Sequence, residues 1–187
     1  MNDMDTNALP GFSSPSASTE VPLEMLSACH GRVERQCQTL QRLPPHLLDH
    51  GSDEQARQAA QAVLRYFDTA ARDHHADEEM DLFPALLEAV AGSDAVCLRD
   101  LILTLLTEHR DIEQQWQHLR QALAAVALGQ SAALPDQAVA AFVSAYAAHI
   151  EREEGELLPL AARLLDDAAL ERIGRAMRQR RGIAAMD

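Results

Sequence analysis

Two segments of the chain, seventy-five residues apart, repeat one pattern of histidine, glutamate, leucine and proline. The first is HHADEEMDLFP, from His74 to Pro84, and the second is HIEREEGELLP, from His149 to Pro159. Each contains a histidine followed four residues later by a glutamate. On a helix these two side chains stand on one face, one turn apart. A repeated pair of imidazole and carboxylate groups at this spacing indicates a metal site that is built on helices.

A second pair of segments matches equally well. HGRVERQCQTL, which begins at His30, and HRDIEQQWQHL, which begins at His109, share a histidine, an aliphatic residue at the fourth place, and the following Glu, Gln, Gln and Leu. The chain is therefore a doubled helix pair. Each of its four helices carries one histidine on its apolar stripe, so the pattern predicts that four imidazoles meet inside the fold.

The composition favours helices over strands. Of the 187 residues 47% are hydrophobic but only 4% are aromatic, and alanine and leucine are abundant. Four long helices with short connections predict an all-α fold, an up-down-up-down antiparallel four-helix bundle, followed by a short fifth helix at the C-terminus. We expect a disordered N-terminal tail over residues 1–20, the bundle over 21–166, and the C-terminal helix and tail over 167–187.

Prolines, glycines and capping residues give the expected helix boundaries. The first helix should begin near Pro22 and end before the adjacent prolines 44 and 45. The second should run from about residue 53 to 91, with Gly92 ending it, and the third should follow a cap at residue 93 or 94 and continue to about Gly129. Pro135 should open the fourth, and the fifth should begin at residue 166 or 167. Pro84 and Pro159 fall inside helices, where we expect a kink or local loosening.

Charge and hydropathy disfavour several classes of partner. The net charge of -13 and the pI of about 4.9 argue against nucleic acid and anionic membrane surfaces as partners. The N-terminus lacks the basic start and apolar run of a secretion signal, and no run of apolar residues is long enough to span a membrane. A cytoplasmic protein is therefore expected. Three cysteines without a CxxC motif predict neither a disulfide framework nor a thiolate metal site.

The candidate ligands suit two metal ions. If Glu78 and Glu153 both bridge, each ion receives two imidazoles and two carboxylate oxygens, and a bridging oxide or hydroxide leaves one position open on each. Such a set fits iron or manganese, whereas a structural zinc ion takes four ligands in a closed shell. Ferritin-like diiron bundles need an ExxH motif on two helices, and the chain contains none.

These motifs resemble those of the hemerythrin family, in particular its bacterial branch with the HHE cation-binding motif. The resemblance covers roughly residues 22–181 and rests on the HxxxE units followed by LFP or LLP, the lone histidines, and the C-terminal Arg-Arg-Gly. It implies a non-haem diiron centre with two oxo- or hydroxo-bridged iron ions, with manganese or zinc less expected. The implied metal ligands are His30, His74, Glu78, His109, His149 and Glu153.

Two pairs of ligands are possible on the second helix, because His75 and Glu79 stand four residues apart, as His74 and Glu78 do. Aligning the two prolines of the repeat places His74 on His149 and His75 on Ile150, which favours His74 and leaves His75 at the rim of the site. Nearby acids remain open to more than one interpretation. Glu79 and Glu154 are either solvated or orient ligands, while Glu34 and Glu113 either stabilise their helices or enter the site.

The resemblance also implies a function. The reversible oxygen carriers of the family add a histidine at the place of Glu113, so its absence disfavours oxygen carriage and favours a symmetric, more reactive centre. We expect a cytoplasmic diiron protein that binds, senses or reacts with O2, NO or peroxide, or that handles iron under stress. The alternatives are a non-catalytic module that stores or delivers oxygen or iron, and a helical interaction protein whose metal is only structural.

Overall fold

Helices separated by short turns and connections make up the described part of the chain. The computed structural model describes residues 21–90, 92 and 94–183. The helices are α1 Pro22–His50, α2 Glu54–Asp68, α3 Ala70–Asp77, α4 Phe83–Ala89, α5 Asp94–Ala127, α6 Asp136–Arg152, α7 Leu158–Leu164 and α8 Asp167–Arg180. Two π turns, Glu78–Leu82 and Glu153–Leu157, join α3 to α4 and α6 to α7. The predicted tail of residues 1–20, positions 91 and 93, and residues 184–187 lie outside the described residues.

The helices form four antiparallel rods. The first rod is α1, the second is α2 to α4, the third is α5, and the fourth is α6 and α7. Each rod contacts two neighbours, since α2 packs on α1 and α5 while α6 packs on α5 and α1. Helix α8 lies against α1 and α3. The predicted all-α bundle with a fifth C-terminal helix is thereby confirmed, and within the described ranges there is no strand and no helix long and apolar enough to cross a membrane.

Local sequence explains where several helices begin and end. The carboxylate of Asp53 accepts a hydrogen bond of 2.8 Å from the backbone N–H of Ala56 at the start of α2, and Asp166 caps α8 in the same way. Gly51 follows α1 with φ of +67° and Gly92 follows α4 with φ of +72°, a backbone region that favours glycine. The predicted helix to residue 91 ends earlier: α4 stops at Ala89 and Val90 is already extended, so Gly92 lies in the turn that follows and does not end the helix.

The expected end of the first helix before residues 44 and 45 was wrong. Helix α1 continues through Pro44 and Pro45 to His50. Each proline removes one backbone donor and so costs one helical hydrogen bond. The helix persists because Leu43, Pro44 and Leu47 are all buried against the bundle core, and this packing outweighs the two missing bonds.

The apolar interior is divided into two clusters by a polar layer. One cluster gathers large side chains from α1, α2, α5 and α6, among them Phe67, Trp116 and Phe142. The other lies near the opposite end of the rods, where Leu26, Leu86 and Met177 are fully buried. On every rod a residue of the predicted metal site lies between the two clusters in sequence, namely His30, Glu78, His109 and Glu153. The bundle therefore holds its polar groups in one layer with dry packing on either side.

The predicted loosening near Pro84 and Pro159 takes the form of the two π turns. The N–H of Phe83 bonds to the carbonyl of Glu78, and that of Leu158 bonds to the carbonyl of Glu153, five residues back in each case. Each turn begins at a predicted glutamate ligand and ends two residues before the proline of the repeat. The repeated sequence therefore carries both the two glutamates and the π turn that begins at each of them.

A buried ion pair attaches α8 to the second rod. Asp77, with no exposed surface, is bonded by the guanidinium groups of Arg180 and Arg181, the latter at 2.5 Å. Arg180 also bonds Asp81 at 2.8 Å, within the first π turn. The two arginines of the Arg-Arg-Gly sequence therefore anchor the C-terminal helix to Asp77, the residue before Glu78.

We expect removal of the two arginines to destabilise the fold more than neutralisation of Asp77 does. The double change Arg180→Ala and Arg181→Ala leaves the carboxylate of Asp77 buried without a cation and should lower the free energy of unfolding by about 3–5 kcal/mol. The change Asp77→Asn should cost less, because both arginine side chains are 18% exposed and reach water. Urea unfolding of the metal-free protein measures both, with the exposed Arg175→Ala as control. Equal costs for the two changes would contradict this assignment.

Candidate metal centre

All six predicted ligands meet in the polar layer. Each rod contributes one histidine, and the two π turns each contribute the glutamate at their first position. Every one of these side chains is at most 2% exposed: His30, His74, Glu78, His109, His149 and Glu153. Burial of two carboxylates and four imidazoles in the middle of a bundle requires that they satisfy one another or bind a cation.

Each carboxylate lies between two histidines. The Oε2 atom of Glu153 is 3.0 Å from Nε2 of His30, and its Oε1 atom is 3.3 Å from Nε2 of His149. On the other side of the layer, the oxygens of Glu78 each lie 3.4 Å from an imidazole Nε2, one of His74 and one of His109. Both carboxylates therefore have the disposition of bridging ligands.

The layer divides into two groups that share these carboxylates. One group joins His30 and His74 to both glutamates, and the other joins His109 and His149 to the same glutamates. Within each group, one ligand atom from every residue lies within 4.8 Å of the others. A metal ion with bonds of about 2.1 Å holds its ligand atoms about 3–4 Å apart, so each group has the size of one ion site.

The hydrogen bonding of the glutamates favours a cation. All four carboxylate oxygens of Glu78 and Glu153 are buried, and none accepts a hydrogen bond of acceptable geometry, although imidazole nitrogens lie close. Buried acceptors without partners are rare because they lose the hydration they had in water. A cation between the histidines and the carboxylates would satisfy these oxygens, and the residues present therefore fit the metal ions that the sequence implies.

Three of the four histidines are held from behind by a carboxylate. In each, Nδ1 lies within hydrogen-bond distance of a glutamate, which leaves Nε2 free to face the centre of the layer. The pairs are His30 with Glu154 at 2.6 Å, His109 with Glu79 at 2.8 Å, and His149 with Glu108 at 2.9 Å. Such partners fix the ring orientation and tautomer of metal-binding histidines.

Arginines hold two of these carboxylates in turn. Arg110 bonds Glu79 at 2.8 and 3.1 Å, and Arg152 bonds Glu108 at 3.0 Å. The fourth histidine, His74, differs, since its Nδ1 is buried and has no hydrogen-bond partner.

The acids around the site separate into those that hold a histidine and those that do not. The interpretation of Glu79 and Glu154 as orienting groups agrees with their contacts. Glu34 is exposed, and the carboxylate of Glu113 accepts a bond of 2.6 Å from Gln117 on its own helix, so neither contacts a ligand histidine. Sequence reasoning missed Glu108, because its histidine lies on another rod and no repeat position marks it.

His75, predicted at the rim of the site, is half-buried and contacts the layer with its ring. Its ring stacks on that of His109 with centroids 4.0 Å apart and planes 11° from parallel, and its Nε2 is buried without a hydrogen-bond partner. Adjacent helical residues point about 100° apart, which directs His75 toward α5 instead of outward. His74 and Glu78 face the layer as the repeat predicted, but His75 lines it as well.

Burial and mutual charge shift the pKa values of the site in opposite directions. Burial and the nearby charge of Glu153 hold the pKa of Glu78 well above its usual range. Burial also acts on Glu153, but the close contacts of its oxygens with His149 and His30 hold its pKa well below the usual range. Burial alone would lower the pKa of His30 and His149, yet the contacts with Glu153 raise both. The metal-free layer therefore carries protons that a cation must displace.

A groove of about 530 Å³ lies between α1 and α6, beside this layer. Val33, Tyr146 and Cys37 line it, together with Glu154, the carboxylate that holds His30. Burial raises the pKa of Cys37 to about 12, so its thiol stays protonated and offers neither a thiolate ligand nor a nucleophile.

Comparison with known proteins adds two similarities. The family model described as "Hemerythrin HHE cation binding domain" matches residues 21–161. A protein of Haemophilus influenzae, which bears the name "Uncharacterized protein", is 30% identical over 167 residues, which cover 89% of this chain and 94% of that protein. The matched range contains all six residues that the structure brings together in the polar layer.

The carboxylates behind the histidines should contribute to metal affinity. Glu79→Gln and Glu108→Gln remove the charge that supports His109 and His149 and should each weaken metal binding roughly 10–100-fold. Isothermal titration with ferrous iron under anaerobic conditions measures the change. Glu113→Gln is the matched control, since Glu113 lies on α5 like Glu108 and bonds only Gln117 among the described contacts. Equal effects of all three changes would refute the supporting role.

Metal binding should release protons and strengthen as the pH rises. Glu78, His30 and His149 keep their protons to higher pH than ordinary carboxyl and imidazole groups, and metal binding requires the deprotonated forms. Affinity should therefore keep rising through the ordinary histidine pKa of about 6.5. Titrations in two buffers of different ionisation enthalpy count the released protons. Binding without proton release near this pH would contradict the predicted protonation.

Proposed function

The chain belongs to the hemerythrin family of HHE cation-binding domains, and we propose that it is a non-haem diiron protein that binds, senses or reacts with O2, NO or peroxide. One observation supports this most directly. Two buried carboxylates lie between four histidines so that two ion-sized groups share them, and their oxygens have no hydrogen-bond partners of acceptable geometry. His30, His74, Glu78, His109, His149 and Glu153 are the proposed iron ligands.

The chemistry of these ligands favours iron over a structural metal. Imidazole nitrogens and carboxylate oxygens without thiolates suit iron or manganese, whereas structural zinc is held by four ligands in a closed site. Shared between two ions, the six residues leave each ion short of the six ligands of an octahedral site. A small molecule can therefore bind there. When bound, two ferrous ions supply electrons in pairs to O2, NO or peroxide.

The surrounding residues determine what the centre admits. The two apolar clusters exclude water above and below the layer, and the carboxylates behind the histidines hold each imidazole in one orientation. The groove between α1 and α6 passes Val33 and Tyr146 and reaches Glu154, the carboxylate that holds His30. It offers small molecules an approach to the layer from the side of α1.

Iron content and gas reactivity together test the proposal. Protein grown in iron-replete medium should hold close to two irons per chain, and its optical spectrum should change on exposure to O2. His118→Ala, an exposed change on α5, is the control that should hold as much iron as the wild type. One tightly bound zinc ion without uptake of iron by the metal-free protein would overturn the proposal. Steady turnover of peroxide or NO supports a reactive centre, whereas reversible binding without turnover supports a storage or delivery module.

A further inference from the structure

We propose that the groove between α1 and α6 is the route by which a divalent metal cation, ferrous iron, reaches the polar layer. The inference rests on the proposed function, because it concerns how that centre is filled. It assigns Glu34 and Glu151 to the attraction of the cation into the groove, and Glu154 to its transfer past His30.

The first observation is the charge of the groove. Three of its lining residues are exposed carboxylates, Glu34, Glu151 and Glu154, and none of the described residues that line it is basic. Within the described part of the chain, neither Glu34 nor Glu151 forms an ion pair. Uncompensated charges of one sign in a cleft raise the local concentration of ions of the opposite sign. Because O2 and NO are neutral and gain nothing from these charges, the lining fits a cation.

The second observation is what lies behind the inner end of the groove. Glu154 lies 2.6 Å from Nδ1 of His30, and Nε2 of the same ring lies 3.0 Å from Oε2 of Glu153. The ring of His30 therefore spans the distance between the groove and the layer. Its Nε2 atom and both oxygens of Glu153 are buried without a hydrogen-bond partner. Such atoms gain a partner when a cation passes inward from Glu154.

The third observation distinguishes Glu154 from the other two carboxylates that hold histidines. Glu79 is bonded by Arg110. Glu108 is bonded by Arg152 in the same way. A cation that approaches on either of those sides therefore meets a guanidinium group, whereas no arginine holds Glu154 among the described contacts.

Exposure gives the same distinction. The side chain of Glu154 is 40% exposed, against 24% for Glu79 and 23% for Glu108. Water reaches this carboxylate, and it can turn toward an incoming cation without breaking an ion pair with an arginine. The side of α1 and α6 is therefore the open side of the layer.

An acidic face that is only solvated predicts a different result. Loss of two surface charges anywhere on a protein of net charge -13 should then change the rate of iron uptake equally. Along a route, only the charges that line the groove matter, and a bulky side chain slows uptake even with every charge in place. Glu34→Gln combined with Glu151→Gln tests the charges. Ala147→Trp, at an exposed residue that lines the groove, tests the space.

Each variant has a matched control. Glu88→Gln combined with Glu171→Gln removes the same charge from exposed positions on α4 and α8. Ala148→Trp places the same ring at the neighbouring exposed residue of α6, which does not line the groove. Both controls should take up iron at the wild-type rate.

Stopped-flow mixing of the metal-free protein with ferrous iron under anaerobic conditions measures the rate of uptake, with a coloured ferrous chelator as the reporter of free iron. At low ionic strength the double glutamine variant at positions 34 and 151 should take up iron at least about threefold more slowly than the wild type. The difference should shrink at high salt, because salt screens exposed charges. Ala147→Trp should be slow at any salt concentration. All variants should finally hold as much iron as the wild type, since none changes a proposed ligand.

A wild-type rate in the double glutamine variant, or equal slowing in its control, would overturn the inference, and so would a wild-type rate in Ala147→Trp. The glutamine variants decide the question even if Ala147→Trp does not fold, because they change only exposed side chains. A wild type that holds two irons, with uptake indifferent to the groove, removes this inference alone. A wild type that takes up no iron removes the proposed function with it.

Discussion

The burial of Glu78 and Glu153 governs the rest of the structure. Two carboxylates in a dry interior are costly unless opposite charge or hydrogen-bond donors surround them. Each has an imidazole near each of its oxygens, and these imidazoles come from all four rods. The bundle therefore closes around a layer that no single helix pair completes, and a metal ion would supply the positive charge that the imidazoles provide only in part.

The support of this layer extends outward in ordered steps. Carboxylates hold the backs of three histidines, arginines hold two of those carboxylates, and α8 is fastened by Arg180 and Arg181 to Asp77, next to Glu78. The supporting carboxylates are more exposed than the histidines that they hold, and Arg110 and Arg152 are more exposed than their carboxylates. The geometry of the layer thus depends on surface residues that lie outside it, and on a C-terminal helix outside the four-rod bundle.

The sequence predicts most of the fold and the six residues that meet in the polar layer because duplication makes both visible twice. His74 and Glu78 are identified by comparison with His149 and Glu153, and the apolar stripes give the four rods. The features it fails to predict lack such a copy. Glu108 supports a histidine on another rod, His75 has only Ile150 as its counterpart, and the passage of α1 through Pro44 depends on tertiary packing. Contacts between residues that are far apart in the sequence cannot be predicted from a local pattern unless a repeat marks both positions.

The two π turns make the helix lengths in this region as important as their side chains. Buried positions recur every four residues from His74 through Leu82 to Leu86, whereas a regular helix repeats every 3.6 residues and drifts about 40° per step. The extra residue of the π turn absorbs this drift. Deleting one residue between Glu78 and Leu82 would restore a regular helix, in which eleven residues make about three turns, so His74 and Leu86 would still share a face. A second deletion in the same segment would rotate one apolar cluster about 100° against the other, so the segment can lose one residue but not two without turning a buried face outward.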